Sequence, residues 1–279
     1  MSTRNIQFVR SLPRFVGTGF VALLALGAFA VSGTPVASAA PPEVHFTYET
    51  GGAAILQNDG RYGANGTAFD AEITGQSRNL LIAQRANVEL GLGRHRVVLL
   101  YAPFAATTRV RLADALTFND TTFAAGTVVD HGYLFDGYRA SYMYEVIKCE
   151  LELALGGSIQ IRNADVAFTA VDGSGYANES DIGIVFALKA RLRYAPEDWP
   201  VWGQLEADAF STFGLIDGVD GGIYDVGLTL GVPVARPLDL LFTTRLVGGG
   251  AKVEDKDIDN WANFFSLALG ARVKLDEIW

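Results

Sequence analysis

The sequence predicts an all-β fold, an up-and-down antiparallel transmembrane β-barrel of about ten strands, with eight to twelve possible. Ten segments alternate apolar and polar residues, with the period of two required of a strand that lies between lipid and a lumen. The connections between the segments are alternately short and long, as in barrels whose hairpins are short on one side of the membrane. After the leader described next, no run of roughly eighteen apolar residues remains to form a membrane-spanning helix.

Residues 1–39 have the features of a cleaved secretory signal peptide, with an uncleaved transmembrane helix as the alternative. Arg4, Arg10 and Arg14 precede an apolar run over residues 15–31, and Ala37-Ser38-Ala39 fits a cleavage site. Residues 40–279 then form a single barrel domain. Cleavage takes the net charge from −9 to about −12, and so acidic a chain is not expected to bind nucleic acid.

The clearest strand is the last, where Phe265, Leu267 and Leu269 share one face and Arg272 and Lys274 share the other. A basic side chain that faces lipid at mid-membrane costs about 2–4 kcal/mol, so the apolar face is expected to face lipid. The weakest patterns are those of the first and third strands, and Pro103 interrupts the third unless a bulge accommodates it. The strands are expected at residues 44–56, 80–90, 96–110, 137–146, 149–162, 182–194, 201–210, 224–230, 238–247 and 264–275.

The connections set the orientation of the strands. Tight turns are expected at residues 91–95, 147–149, 196–200 and 235–237, and long loops at 57–78, 111–130, 172–181, 211–221 and 251–260. The short turns therefore lie on the side of the two termini. Aromatic residues near the predicted strand ends are expected to form a girdle at the membrane interface: Tyr194, Trp199, Trp202, Tyr224 and Trp261.

Two stretches carry a resemblance to known proteins. Gly270-Ala271-Arg272-Val273-Lys274-Leu275 resembles the C-terminal assembly signal of bacterial outer-membrane proteins, although that signal usually ends in an aromatic residue and this strand ends in Leu275. FDGYRASYMY (135–144) and IQIRNADVAF (159–168) resemble uncharacterised outer-membrane barrels of Gram-negative bacteria. The resemblance implies a bacterial outer-membrane location, with outer-membrane lipid, lipopolysaccharide and the assembly machinery as partners. It brings no catalytic motif.

Charged residues of both signs fall on the predicted lumen face. A ten-strand barrel is nearly filled by its own side chains, and an unpaired buried ion costs several kcal/mol, so these charges are expected to pair. The favoured interpretation is a structural plug of salt bridges, and the alternative is a narrow charge-lined pore. The residues of this predicted lumen charge network are Arg85, Glu89, Arg139, Glu145, Glu152, Arg162, Lys189, Arg191, Glu206, Asp208, Asp225, Arg245 and Arg272.

Three functional hypotheses remain. The first is a non-enzymatic integral barrel, either structural or a narrow conduit for small solutes or ions. The second is a surface protein that binds partners through its loops. The third is an outer-rim hydrolase, a protease or lipid-modifying enzyme, with His131 beside Asp130 as the only candidate pair. Adjacent residues on a strand point to opposite faces, which disfavours that pair, so we expect no catalytic residue.

No metal site or cofactor is expected, and the oligomeric state is left open. Asp255, Asp257 and Asp259 are spaced two apart, but Asn260 and Ser266 stand where a calcium loop of the EF type requires glycine and glutamate. The single cysteine, Cys149, allows no internal disulfide.

Overall fold

Ten long strands close into an antiparallel barrel, which confirms the predicted fold and strand number. The computed structural model describes residues 41–278, so the predicted signal peptide and Trp279 lie outside the described residues. Barrel strands that follow one another along the chain are hydrogen-bonded neighbours, and the last pairs with the first. No helix within residues 41–278 is long and apolar enough to cross a membrane.

Twelve strands are present in the described residues, and two of them form a separate hairpin, β4–β5. Three short 3₁₀ helices lie at Gln76–Arg78, Glu254–Lys256 and Leu275–Glu277. The strands are β1 (Glu43–Tyr62), β2 (Leu80–Leu92), β3 (His95–Arg111), β4 (Leu116–Phe118), β5 (Thr121–Phe123), β6 (Val128–Lys148), β7 (Leu151–Ala170), β8 (Tyr176–Tyr194), β9 (Trp202–Ser211), β10 (Val219–Ala235), β11 (Leu238–Val253) and β12 (Ile258–Lys274).

The two faces of the strands are as the alternation predicts. On β8, Ile184 and Leu188 are 67% and 76% exposed on the outer surface, whereas the next residue, Lys189, is 4% exposed in the lumen. The same division holds on β12, where Leu267 and Leu269 point outward. An apolar belt therefore surrounds a lumen that contains the charged side chains, as a bilayer requires.

The strands are longer than predicted at the end opposite the termini. β6 has 21 residues, about twice the 9–11 that a tilted strand needs to cross a bilayer. Towards that outer end the outward positions become polar, for example Asn163 and Asp165 on β7. The outer part of the barrel therefore projects beyond the lipid, and the loops predicted at residues 111–130 and 172–181 include strand.

The β-bulges and breaks in strand pairing differ from those expected. In β1 the register shifts between Ile55 and Gln57, which leaves Leu56 as a bulge. The bulge considered for the third strand is absent from its ladder with β6, in which Pro103 stands opposite Asp136. The ladder between β3 and β2 ends at Tyr101 instead.

A cap of folded loop covers part of the outer end. The β4–β5 hairpin is joined to the loop after β1, because Thr67 N–H donates to the Thr117 carbonyl at 2.8 Å and Asn119 N–H donates to that of Tyr62 at 3.0 Å. The hairpin, the loop and the inner faces of β6, β7 and β8 share one apolar cluster: Tyr62, Phe69, Leu112, Leu116, Phe118, Phe123, Val129, Val166, Phe168, Ala170 and Ala177.

Candidate functional site: an ion network beneath a chamber

Asp225 on β10 is the hub of an ion network in the middle of the lumen. Its carboxylate accepts hydrogen bonds from Arg85 at 3.2 Å, from Arg139 at 2.9 Å and from Arg245. Arg139 also pairs with Asp208 at 2.9 Å and donates to the Gln160 amide oxygen. Three arginines from β2, β6 and β11 thus converge on one carboxylate, which is 3% exposed.

Lys189 and Arg191 extend this network along β8. Lys189 Nζ lies 2.8 Å from Asp208 and 3.0 Å from Glu206. Arg191 pairs with Glu206 at 3.0 Å and with Glu89 at 2.8 Å. Nine of the thirteen lumen charges predicted from the sequence are therefore joined: Arg85, Glu89, Arg139, Lys189, Arg191, Glu206, Asp208, Asp225 and Arg245.

A glycine makes room for this packing. A Cβ built on Gly227 would stand 2.7 Å from the Arg245 guanidinium, well inside van der Waals contact. The missing side chain therefore lets Arg245 lie against the barrel wall on its way to Asp225.

Four predicted residues lie outside the ion network. Glu145 pairs with Arg96 at 2.7 Å, and Glu152 pairs with Arg193 at 3.0 Å, both towards the end with the termini. Arg162 pairs with Asp181 nearer the outer end. Arg272 makes no ion pair within 4 Å in the described residues and stacks on the Trp202 ring at 4.3 Å.

Trp202 corrects the predicted girdle. It is 4% exposed, points into the lumen and donates its Nε1–H to Asp239 at 3.2 Å. Tyr194 and Trp199 are exposed on the outer surface.

Three charged residues that are buried in the structure were not among the predicted lumen residues: Glu49, Arg96 and Asp239. Glu49 accepts a hydrogen bond from Thr243 and borders the ion network. Arg96 shares the inner face of β3 with Val98 and Leu100. Because these two inner residues are as apolar as the outer ones, this strand shows no clear alternation that would reveal Arg96.

A chamber of about 250 Å³ lies on the outer side of the ion network. Its floor includes Glu49, Arg85, Arg139, Asp225 and Arg245. Its walls are mainly apolar: Ala53, Leu100, Ala102, Phe104, Phe135, Ala164, Ile223, Val247, Ala262 and Phe264.

The ion network lies below the chamber, and the chamber is partly open above. A cavity of about 40 Å³ lies within the ion network, which is room for a few waters. Above the chamber, the cap covers one side. Glu179, Asp181 and Lys256 also line the outer end, and Glu179 accepts a hydrogen bond from Asn119 of the cap.

His131, the candidate histidine, is placed far from any catalytic arrangement. It is fully buried and stacked on Phe168, with ring centroids 4.3 Å apart and an interplanar angle of 5°. Burial lowers the pKa of His131 to about 3. Its neighbour Asp130 points to the opposite face and pairs with Arg109 at 2.7 Å.

The closed barrel, its apolar outer belt and its charged lumen define a class: this is a small transmembrane β-barrel, the architecture of bacterial outer-membrane proteins. Solved barrels of similar architecture include the outer-membrane protease OmpT of Escherichia coli, with 9% identity, 85% of this chain and 98% of that chain covered, and a TM-score of 0.47. The attachment invasion locus protein Ail of Yersinia pestis has 9% identity, coverage of 82% and 99%, and a TM-score of 0.37. The toluene transporter TodX of Pseudomonas putida has 9% identity, coverage of 84% and 90%, and a TM-score of 0.33.

These likenesses concern architecture and carry no functional argument. No family model matches the sequence, and no curated protein matches it.

Proposed function

We propose that this protein is a non-enzymatic outer-membrane barrel that is closed to ions and binds a small, mainly apolar solute in the chamber. The observation that carries the proposal is the position of the chamber, between a buried ion network and an apolar cap. Binding sites for small molecules are typically concave and apolar, with a few convergent polar groups that orient the ligand. The chamber has this composition.

The chemistry of the floor and walls defines the solute. The walls present alkyl and aromatic side chains such as Leu100, Phe104 and Phe264, which favour a hydrocarbon or aromatic body. The floor presents carboxylates and guanidinium groups, including Asp225 and Arg139. A molecule with one apolar body and one hydrogen-bonding group can satisfy both surfaces.

Two observations support the proposal against the other hypotheses. The ion pairs of the network cross the lumen, and the cavity among them has room for only a few waters, which argues against an ion conduit. The buried His131 has no carboxylate or hydroxyl partner within the described residues, which argues against an outer-rim hydrolase of the kind considered above.

The proposal is tested with 1-aminonaphthalene, whose ring matches the walls and whose amino group can donate to a carboxylate. Binding is measured from its fluorescence with the protein in lipid nanodiscs. Ala164→Phe fills part of the chamber from β7, and Ala140→Phe on the lipid face of β6 is the matched control. Partitioning into the lipid is the same for all three proteins and cancels in the comparison.

We expect saturable binding to the unmodified protein and to Ala140→Phe, with at least tenfold weaker binding to Ala164→Phe. Equal signals from all three proteins would mean that the probe is only dissolved in the lipid, and would refute the chamber as a binding site.

A further inference from the structure

The positive and negative charges in the middle of the lumen do not balance. The ion network has five basic side chains and four carboxylates. Glu49, which borders it, brings the carboxylates to five, and Arg272 brings the basic side chains to six. Arg272 makes no ion pair within 4 Å in the described residues, so the excess positive charge lies at its guanidinium.

The carboxylates around Arg272 are already paired with other side chains. Glu89 is paired within the ion network at 2.8 Å. Asp239 stands opposite Arg272 in the ladder of β11 and β12, but its carboxylate pairs with Lys274 at 3.3 Å. The Trp202 ring, 4.3 Å from the Arg272 guanidinium, attracts a cation without neutralising it. One positive charge in this part of the lumen is therefore left without a counter-charge among the described residues.

Arg272 lines the cavity of about 40 Å³ within the ion network. Asn87, Thr47 and Arg272 are ladder partners on the adjacent strands β2, β1 and β12, and all three line this cavity. Their amide, hydroxyl and guanidinium groups can all donate hydrogen bonds. The charged lining of the cavity is six basic side chains against three carboxylates: Arg85, Arg139, Lys189, Arg191, Arg245 and Arg272 against Glu49, Glu89 and Glu206. The cavity therefore has a positive potential and a row of donors on one wall.

The charge and the size of the cavity define the ligand that it can take. A single excess positive charge is balanced by one monovalent anion, and charge-assisted hydrogen bonds from a guanidinium favour an anion over water. A space with room for a few waters admits chloride, which is only slightly larger than a water molecule, and excludes an organic acid such as gluconate. Arg272 is only partly buried, so an anion can reach it from the end with the termini.

We propose that the cavity beside Arg272 binds one monovalent inorganic anion of the size of chloride. The anion accepts hydrogen bonds from Arg272, Thr47 and Asn87 and supplies the counter-charge that the carboxylates of the lumen do not. It makes the stability of the ion network depend on the anion in solution. This inference goes beyond the proposed function and stands whether or not the chamber binds a solute.

The test compares sodium chloride with sodium gluconate at constant ionic strength, in urea titrations of the protein in detergent. Arg272→Met removes the unpaired charge and keeps an unbranched side chain against Trp202. Arg193→Met is the matched control, because Arg193 also lies over the Trp202 ring, at 4.9 Å, but pairs with Glu152 and does not line the cavity.

Raising chloride from about 3 to about 300 mM should lower the unfolding equilibrium constant of the unmodified protein and of Arg193→Met at least about tenfold, because a ligand that binds only the folded state stabilises it. The constant of Arg272→Met should change less than about twofold. An equal change in all three proteins would be a general effect of the salt, and that result or no change in the unmodified protein would overturn the proposal.

A second measurement locates the anion even if Arg272→Met does not fold. In crystals of the unmodified protein grown with sodium bromide, the anomalous signal should place one bromide ion between Arg272 and Thr47. No anomalous peak at this position would overturn the proposal.

Discussion

At the scale of single residues, Asp225 balances the charges of three arginines in the lumen. Arg245 has no other ion-pair partner in the described residues, and Arg85 and Arg139 also depend on this carboxylate. Removing one partner of a buried ion pair leaves an uncompensated charge, which costs about 3–5 kcal/mol. We expect Asp225→Asn, which preserves the shape of the side chain, to lower the free energy of unfolding by about that amount in urea titrations in detergent.

Asp130→Asn is the matched control, because Asp130 pairs with an Arg109 side chain that is 63% exposed. An exposed pair contributes roughly 0–1 kcal/mol. Equal losses in the two variants would show that burial is not what makes the ion network important for stability.

His131 gives the cap a pH dependence. The folded protein keeps this histidine neutral down to about pH 3, whereas the unfolded chain protonates it near its ordinary pKa of 6.5. Stability is therefore complete above pH 6.5 and is lost as the pH falls towards 3, by about 1.4 kcal/mol per pH unit. We expect His131→Phe, which can keep the stack on Phe168, to remove this slope from the free energy of unfolding.

His95→Phe is the comparison, because the side chain of His95 is exposed and lies outside the apolar cluster of the cap. Carboxylates that titrate in the same range contribute equally to the pH dependence of the free energy of unfolding in all three proteins. A slope that persists in His131→Phe would place its origin elsewhere.

At the scale of elements, the cap packs onto the barrel through one apolar cluster. Phe118 on β4 is completely buried, between Tyr62 and Phe168. Replacing a buried phenylalanine by alanine costs about 3–5 kcal/mol. Because residues 112–127 meet the barrel mainly through this cluster, we expect Phe118→Ala to expose the cap to limited proteolysis while the barrel stays folded on electrophoresis without heating. Loss of the folded barrel band would instead show that cap and barrel unfold together.

The elements also show what a sequence can reveal. The faces of the strands were predictable, because the period of two applies wherever lipid lies on one side and charge on the other. Strand ends were not predictable, because the outer extensions are solvated on their outer face and carry polar residues such as Asn178 and Ser180, which resemble a loop. The β4–β5 hairpin is only three residues long on each side, too short for alternation to show.

At the scale of the whole molecule, the members of the ion network could be predicted from the sequence, but the ion pairs between them could not. Inward charges follow from alternation on each strand taken separately. Their pairing depends on the closure and stagger of the barrel, which bring Arg139 of β6 to Asp225 of β10 across the lumen, 86 positions apart in sequence. The chamber depends on the same closure, and no local pattern encodes it.

This architecture predicts that the protein does not conduct. The ion network occupies the lumen between the chamber and the end with the termini, and the space left within it is about 40 Å³. We expect no steady current in planar bilayers at either polarity. Truncating Lys189 and Asp208 together to alanine removes one pair from the middle of the network without leaving a net charge, so this double variant should leak ions. The control variant, in which the exposed pair Arg109 and Asp130 is truncated to alanine, should show no steady current. A steady current through the unmodified protein would show that the ion pairs across the lumen separate often enough to admit water. The ion network would then act as a gate.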